Sequence, residues 1–320
     1  YKSQVLVALA TYPGHWAKWQ SGAYFDIDTM MRLVEVRSLL DGRGWFDPVL
    51  TQVMRPDGVA MHWSRLIDGP VAGLVALVRP FSDAAGAEML ARTLWPLGLM
   101  IAYFCLQARI ATRLAGPAYF LPALLAALVI GATADWSTHH FLVGNIDHHG
   151  ALIVVVLALL AVAPSMAANR AAAMTAGVLV AMIPAVAIEG VPYAIAFLAW
   201  AVLAWVIDPE RFGKTAAYLY GGIAAGAAVF FVLLVGPSRY ALAQCDIYSL
   251  PYAAILIAGG LGMITATALA GRSSSIVMRL AATVPVGALT LGSLALTGPE
   301  CFGGPYHMIS ADLQALWLDR

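Results

Sequence analysis

What most constrains this chain is a succession of apolar runs, each about as long as a bilayer is thick, parted by short polar breaks. A hydrocarbon layer about 30 Å thick takes about 20 apolar residues in a helix. Only helices and closed barrels satisfy every backbone N–H and C=O in that layer. Runs at 89–112, 115–135, 150–168, 171–188, 191–207, 215–236, 251–271 and 277–297 predict eight spans, and so an all-α, polytopic transmembrane helix bundle. Composition agrees, with 61% hydrophobic and 11% charged residues, more apolar than a soluble core requires. Lys and Arg total 18 and Asp and Glu 18, so net charge points to no nucleic-acid partner and no acidic substrate.

Two shorter apolar stretches decide the layout. Residues 4–10 are too few to cross, which predicts a first span that is lost or truncated. The absent initiator Met and the ending Leu318-Asp319-Arg320 further predict a chain truncated at both ends. Pro70 to Val78 is also too short and is expected to dip into or lie on the interface. With that stretch left out, Arg109, Arg113, Arg170, Arg211, Lys214, Arg272 and Arg279 share one side, which the positive-inside rule makes cytoplasmic. The opposite connections, 136–149, 189–190, 237–250 and 298–320, hold only Arg239 and Arg320. The expected layout is a single domain with a large first external loop over 22–80, eight spans over 89–297 and an external tail from 298 to 320. The arginines of the first loop depart from the rule, although acids intersperse them. Within that loop Met30, Met31, Leu33, Val34, Val36, Leu39 and Leu40 have helical spacing, which predicts an amphipathic helix along the membrane surface.

The three cysteines follow this map. Cys245 and Cys301 both fall in outer loops and are expected to pair in the oxidising envelope of a bacterium, joining the loop before 251 to the tail after 297. Cys105 lies within a span and reads as an inert apolar residue.

Chemistry concentrates in two stretches. Asn145-Ile146-Asp147-His148-His149-Gly150 follows Asp135-Trp136-Ser137-Thr138-His139-His140, so four of the seven histidines and two acids fall close together. Asp147 and His149 project to the same side of an extended segment and could reach one cation. The helix that Gly150 opens aims free N–H groups at the same point, which favours an anion such as a phosphate. That Asp147 only caps this helix, and that the histidines only bond headgroups or backbone, stay open. The second stretch is Tyr24-Phe25-Asp26-Ile27-Asp28-Thr29-Met30-Met31-Arg32. Its acids are also two apart, and Arg32 follows Asp28 by one helical turn. Asp28 as a helix cap paired with Arg32 is the structural alternative. Both stretches lie on the outer face, and acids plus imidazoles without a thiolate suit Mg²⁺ or Mn²⁺ better than zinc.

Phe25-Asp26-Ile27-Asp28, then Met31-Arg32-Leu33 and Gly44-Trp45-Phe46-Asp47-Pro48, resembles the first external loop of the GT-C membrane glycosyltransferases, above all the catalytic subunits of oligosaccharyltransferases. Arg55-Pro56-Asp57-Gly58 through His62-Trp63-Ser64-Arg65 resembles the later part of that loop. Asn145 to His149 resembles the second external-loop motif, in its Asp-His-His form. The resemblance covers roughly the N-terminal half. It implies Asp147 and His149 as metal ligands, with Asp28 as the first-loop ligand and Asp26 the second choice. Neither the Trp-Trp-Asp acceptor motif nor the fifth-loop motif ending in a metal-binding Glu occurs in the chain.

The expectation is therefore a metal-dependent glycosyltransferase that moves a sugar or oligosaccharide from a polyprenyl-phosphate or -diphosphate donor to a glycan, lipid or protein acceptor. It would be an integral protein of a bacterial inner membrane with its site on the periplasmic side. Asp28, Asp26 and Arg32 are the expected catalytic residues, with Asp28 between metal and acceptor. Arg32, His62, Arg65, His148 and Glu189 are candidates to bind donor phosphate or substrate. Arg65 snorkelling beside Trp63 is the plainer alternative. Nothing ranks Glu300 and Asp312 above solvated loop charges. Small-residue runs in 171–188 and 221–227 read as helix packing. The rival class is a transporter or permease. It needs polar groups at mid-depth, whereas here the charges cluster outside. A metalloprotease would need the His-Glu-x-x-His that this chain lacks.

Overall fold

A computed structural model of the chain describes residues 27–52, 56–133, 139–271, 273 and 275–307. It divides into two compact units, 1–164 and 165–320. In the first unit α1 (Ile27–Leu40) leads through a ribbon, β1 (Val49–Leu50) antiparallel to β2 (Val59–Ala60), into α2 (Arg65–Val78), α3 (Ala84–Ala115), α4 (Phe120–Thr133) and α5 (His148–Val162). The second holds α6 (Arg170–Val186), α7 (Val191–Ile207), α8 (Pro209–Leu234), α9 (Leu250–Ala270) and α10 (Ile276–Thr297).

Among the described residues six helices are long and apolar enough to cross a membrane: α3, α5 with its short extension to Ser165, α7 with the turn before it, α8, α9 and α10. The chain is an integral membrane protein. The two other expected spans are apolar helices of 14 residues at α4 and 17 at α6. α2, also 14 residues and so about 21 Å long, falls short of a crossing, as the charge map requires. The Ser64 hydroxyl starts it by accepting from Leu66 N–H at 3.2 Å. α8 begins at Pro209 rather than 215, because the Asp208 carboxylate caps it, accepting from Arg211 N–H at 3.1 Å.

α1 packs the face its apolar spacing suggests, with Leu33, Val36, Leu39 and Leu40 on one core and Met31 and Val34 on another, save for Met30. Met30 is 46% exposed, whereas Thr29, Arg32 and Glu35 are buried alongside Leu33 and Val36. Arg32 is tolerated there because α2 brings Asp68 to meet it, 2.8 Å away. Around them Leu33 and Val36 of α1, Val71 and Val75 of α2, and Ala87 and Ala91 of α3 form one core, and Ile146 from the loop before α5 completes it. The ribbon packs Leu50 and Met61 with Trp63 against Met31 and Val34.

In the second unit the small-residue runs do pack helices. A Cβ on Gly177 of α6 would overlap the backbone of α8 at Leu219, and one on Gly222 would overlap Met174 in return. Cys245 and Cys301 are bonded, with Cα atoms 5.2 Å apart, so the loop before α9 is tied to the turn after α10 as expected. Cys105 is exposed on α3. A cavity of about 480 Å³ opens among helices of this unit, lined by side chains such as Ile195, Leu198, Ile255, Met263 and Leu291.

Candidate active site

The loop before α5 is fixed from both sides of its charged residue. Gly144, with φ 100°, adopts a conformation that L side chains rarely take and donates its N–H to Arg92 C=O at 2.9 Å. Asn145 Oδ1 accepts from Asp147 N–H at 2.9 Å. Ile146 is 0% exposed in the core of α1, α2 and α3. After the loop, Gly150 lets the turn His139–Phe141 lie against α5, since a Cβ there would come within 2.9 Å of His140 O.

Asp147 occupies the N-cap position of α5, yet its carboxylate makes no capping bond. It turns to the imidazoles instead. His148 Nδ1 lies 2.7 Å from Oδ1, and His149 Nε2 lies 3.5 Å from Oδ2. The first contact is short enough for a protonated Nδ1 to donate to the carboxylate, which helps to hold it ionised. Asp147, His148 and His149 each offer a ligand atom, all within 4.8 Å of one another. Ligands bound at about 2.2 Å lie at most about 4.4 Å apart, so a shift of a few tenths of an ångström lets them share an ion. The donor set, one carboxylate and two imidazoles, fits a divalent cation. Burial alone raises the Asp147 carboxyl. The close approach of His148 and the charges of His148, His149 and Arg32 outweigh that and hold it well below the usual carboxylate range.

Arg32 forms the floor of this cluster. It is fully buried, its Nη2 lies 3.4 Å from His148 Nδ1 and 4.0 Å from Asp147 Oδ1, and its guanidinium stacks over Trp63 at 4.8 Å. Its Nη1 donates to Asp68 Oδ1 at 2.8 Å. Asp68 Oδ2 accepts from Arg65 Nη1 at 3.0 Å, while Arg65 also donates to Trp45 O at 3.1 Å and Asp47 O at 2.7 Å. One buried carboxylate thus takes a guanidinium on each oxygen. Glu35 lies beside them, 1% exposed, and burial followed by the Asp68 charge pushes it up to about 8 against the pull of Arg32 and Arg65.

Of the residues expected from sequence, Asp147, His148, His149 and Arg32 come together. Asp28 is exposed in the first turn of α1, one turn before Arg32 and so on the same side of the helix. Arg32 pairs with Asp68 rather than with Asp28. Asp26 and Asp312 lie outside the described residues, as does the stretch 134–138. His62 is exposed, its ring 5.5 Å from that of Trp63. Arg65 is held inward by its three partners, and the guanidinium stacked on Trp63 is that of Arg32. Glu189 belongs to the second unit, where it accepts from Tyr306 Oη at 3.0 Å. Asp68 and Glu35 were missed. Their signal is faint: Arg65 and Asp68 are spaced one helical turn apart, and Glu35 interrupts Val34 and Val36.

This is the GT-C fold of the oligosaccharyltransferase type. The apo crystal structure of the Archaeoglobus fulgidus oligosaccharyltransferase superposes with a TM-score of 0.56 at 16% identity, over 91% of this chain and 35% of that one. The Archaeoglobus fulgidus oligosaccharyltransferase AglB, in complex with an inhibitory peptide and a dolichol-phosphate, superposes at 0.60 and 16% identity, over 89% and 34%. The chain thus spans about a third of the length of these two solved chains. No protein-family model matches it, and no curated protein matches it.

Proposed function

We propose that this chain is the membrane part of a metal-dependent glycosyltransferase. It would move a sugar or oligosaccharide from a polyprenyl-phosphate or -diphosphate donor to an acceptor outside the cytoplasm. The observation that carries this reading is the Asp147 carboxylate, which sits where a helix cap belongs and leaves the cap unmade to face two imidazoles. Asp147 and His149 hold a divalent cation, Mg²⁺ or Mn²⁺, with Asp28 approaching from the first loop and orienting the acceptor. The cation, when bound, stabilises negative charge on the departing phosphate oxygens. Being 0% exposed, Arg32 is assigned to orienting Asp147 and His148 rather than to a direct grip on phosphate. The α5 N-terminus directs backbone N–H groups to the same place, which favours an anionic donor group.

The fold likeness to a protein solved with dolichol-phosphate supports a lipid-linked donor. So does the apolar cavity of the second unit, whose walls suit a hydrocarbon chain. The Cys245–Cys301 bond supports an oxidising compartment for the loops that carry it. The test is Asp147→Ala in the full-length protein, assayed for release and transfer of sugar from a labelled polyprenyl-diphosphate donor. Turnover should fall by about 100-fold or more while the melting profile is kept, and chelation of wild type should do the same until Mn²⁺ is restored. Unchanged turnover in the folded variant removes the site.

A further inference from the structure

Two positive charges are buried against a place that is proposed to hold a dication. Arg32 approaches Asp147 Oδ1 to 4.0 Å and His148 Nδ1 to 3.4 Å. Arg65 enters the same cluster from α2. A guanidinium cannot shed its proton, so its charge must be balanced in place or it will repel a neighbouring cation. Glu35 does not supply that balance. Burial and the neighbouring Asp68 charge raise its carboxyl, and the bonds from Arg32 Nη1 and Arg65 Nη1 go to Asp68 rather than to it. Asp68 does. It is 0% exposed, and each of its oxygens accepts from a different arginine, Oδ1 from Arg32 at 2.8 Å and Oδ2 from Arg65 at 3.0 Å.

We infer that Asp68 is a positioning residue for the cation site, neutralising Arg32 and Arg65 so that Arg32 can lie against Asp147 and His148 without expelling the ion. This rests on the metal-binding reading proposed above. With Asp68 ionised, the formal charges of Arg32, Arg65, Asp68 and Asp147 cancel. With Asp68 neutral, the same four groups carry one net positive charge beside the ligands. Arg32 also loses the bond that fixes its fork, and the His148 ring loses a defined neighbour.

The experiment measures Mn²⁺ binding to the purified full-length protein in detergent by electron paramagnetic resonance, which needs no substrate. Asp68→Asn should weaken Mn²⁺ by about 10- to 100-fold, the range typical of residues that support metal ligands. Asp68→Glu keeps the charge and should stay close to wild type. The double variant Arg65→Gln/Asp68→Asn restores the charge sum and should recover most of the affinity that Asp68→Asn loses. A purely structural role predicts the opposite order, with the double variant worse than the single one. A folded Asp68→Asn that binds Mn²⁺ like wild type overturns the inference and leaves the metal reading standing. A double variant that folds and binds no better than Asp68→Asn also overturns it. If Asp68→Asn does not fold, the double variant decides alone, since it must then bind within a few-fold of wild type. Wild type that binds no Mn²⁺ overturns both readings, which separates that failure from the others.

Discussion

Glu35 shows what a single buried carboxyl does to the pH response of this protein. Its folded value of about 8 lies well above the ordinary 4.5, so the folded chain keeps a proton that the unfolded chain gives up between those limits. Stability from this group is therefore intact below about pH 4.5, falls as pH rises through the window and levels off above about 8. Glu35→Gln should remove that slope. Its melting temperature should exceed wild type by a few degrees on the alkaline side and match it on the acidic side, as scanning fluorimetry across pH will show. Legibility at this scale is uneven. Asp147, His148 and His149 stand out in the sequence because three ligand-type residues in a row are conspicuous among apolar neighbours. Asp68 does not, since a lone acid at the head of an apolar helix gains meaning only when α1 brings Arg32 across to it.

At the scale of elements, the membrane helices were plain and their ends less so. Apolar runs locate every one of α3 to α10, because a bilayer leaves few other solutions for such segments. The start of α8 escapes hydropathy because a cap, Asp208 followed by Pro209, extends the helix through the charged residues Glu210, Arg211 and Lys214. The burial of Arg32 beside the apolar stripe of α1 escapes it too, since only the fold brings Asp68 of α2 to pair with it. The contact most exposed to mutation is α6 on α8. Gly177→Val should force the two backbones apart and cost about 1–3 kcal/mol, read as a lower melting temperature. Gly287→Ala is the control, because a Cβ at Gly287 meets nothing within 4 Å.

For the whole molecule, the cysteines give the simplest check on which compartment the second unit meets. In the denatured chain, of three cysteines only Cys105 should react with an alkylating reagent before reduction, and all three after it, as intact mass will report. Cys301→Ser should lower stability by about 2–4 kcal/mol. The pairing was foreseeable because charge parity put both thiols on one side, whereas the division into two compact units left no trace in composition. Finally, Ile146 and Asp147 are consecutive, one sunk among Leu33, Val71 and Val75 and the other facing the imidazoles. A cavity-forming change such as Val75→Ala, remote from any ligand, would let the anchor drift and carry the carboxylate with it. In a mutational scan scored by turnover, such interior positions will masquerade as catalytic, and only a parallel measurement of folding will tell the two apart.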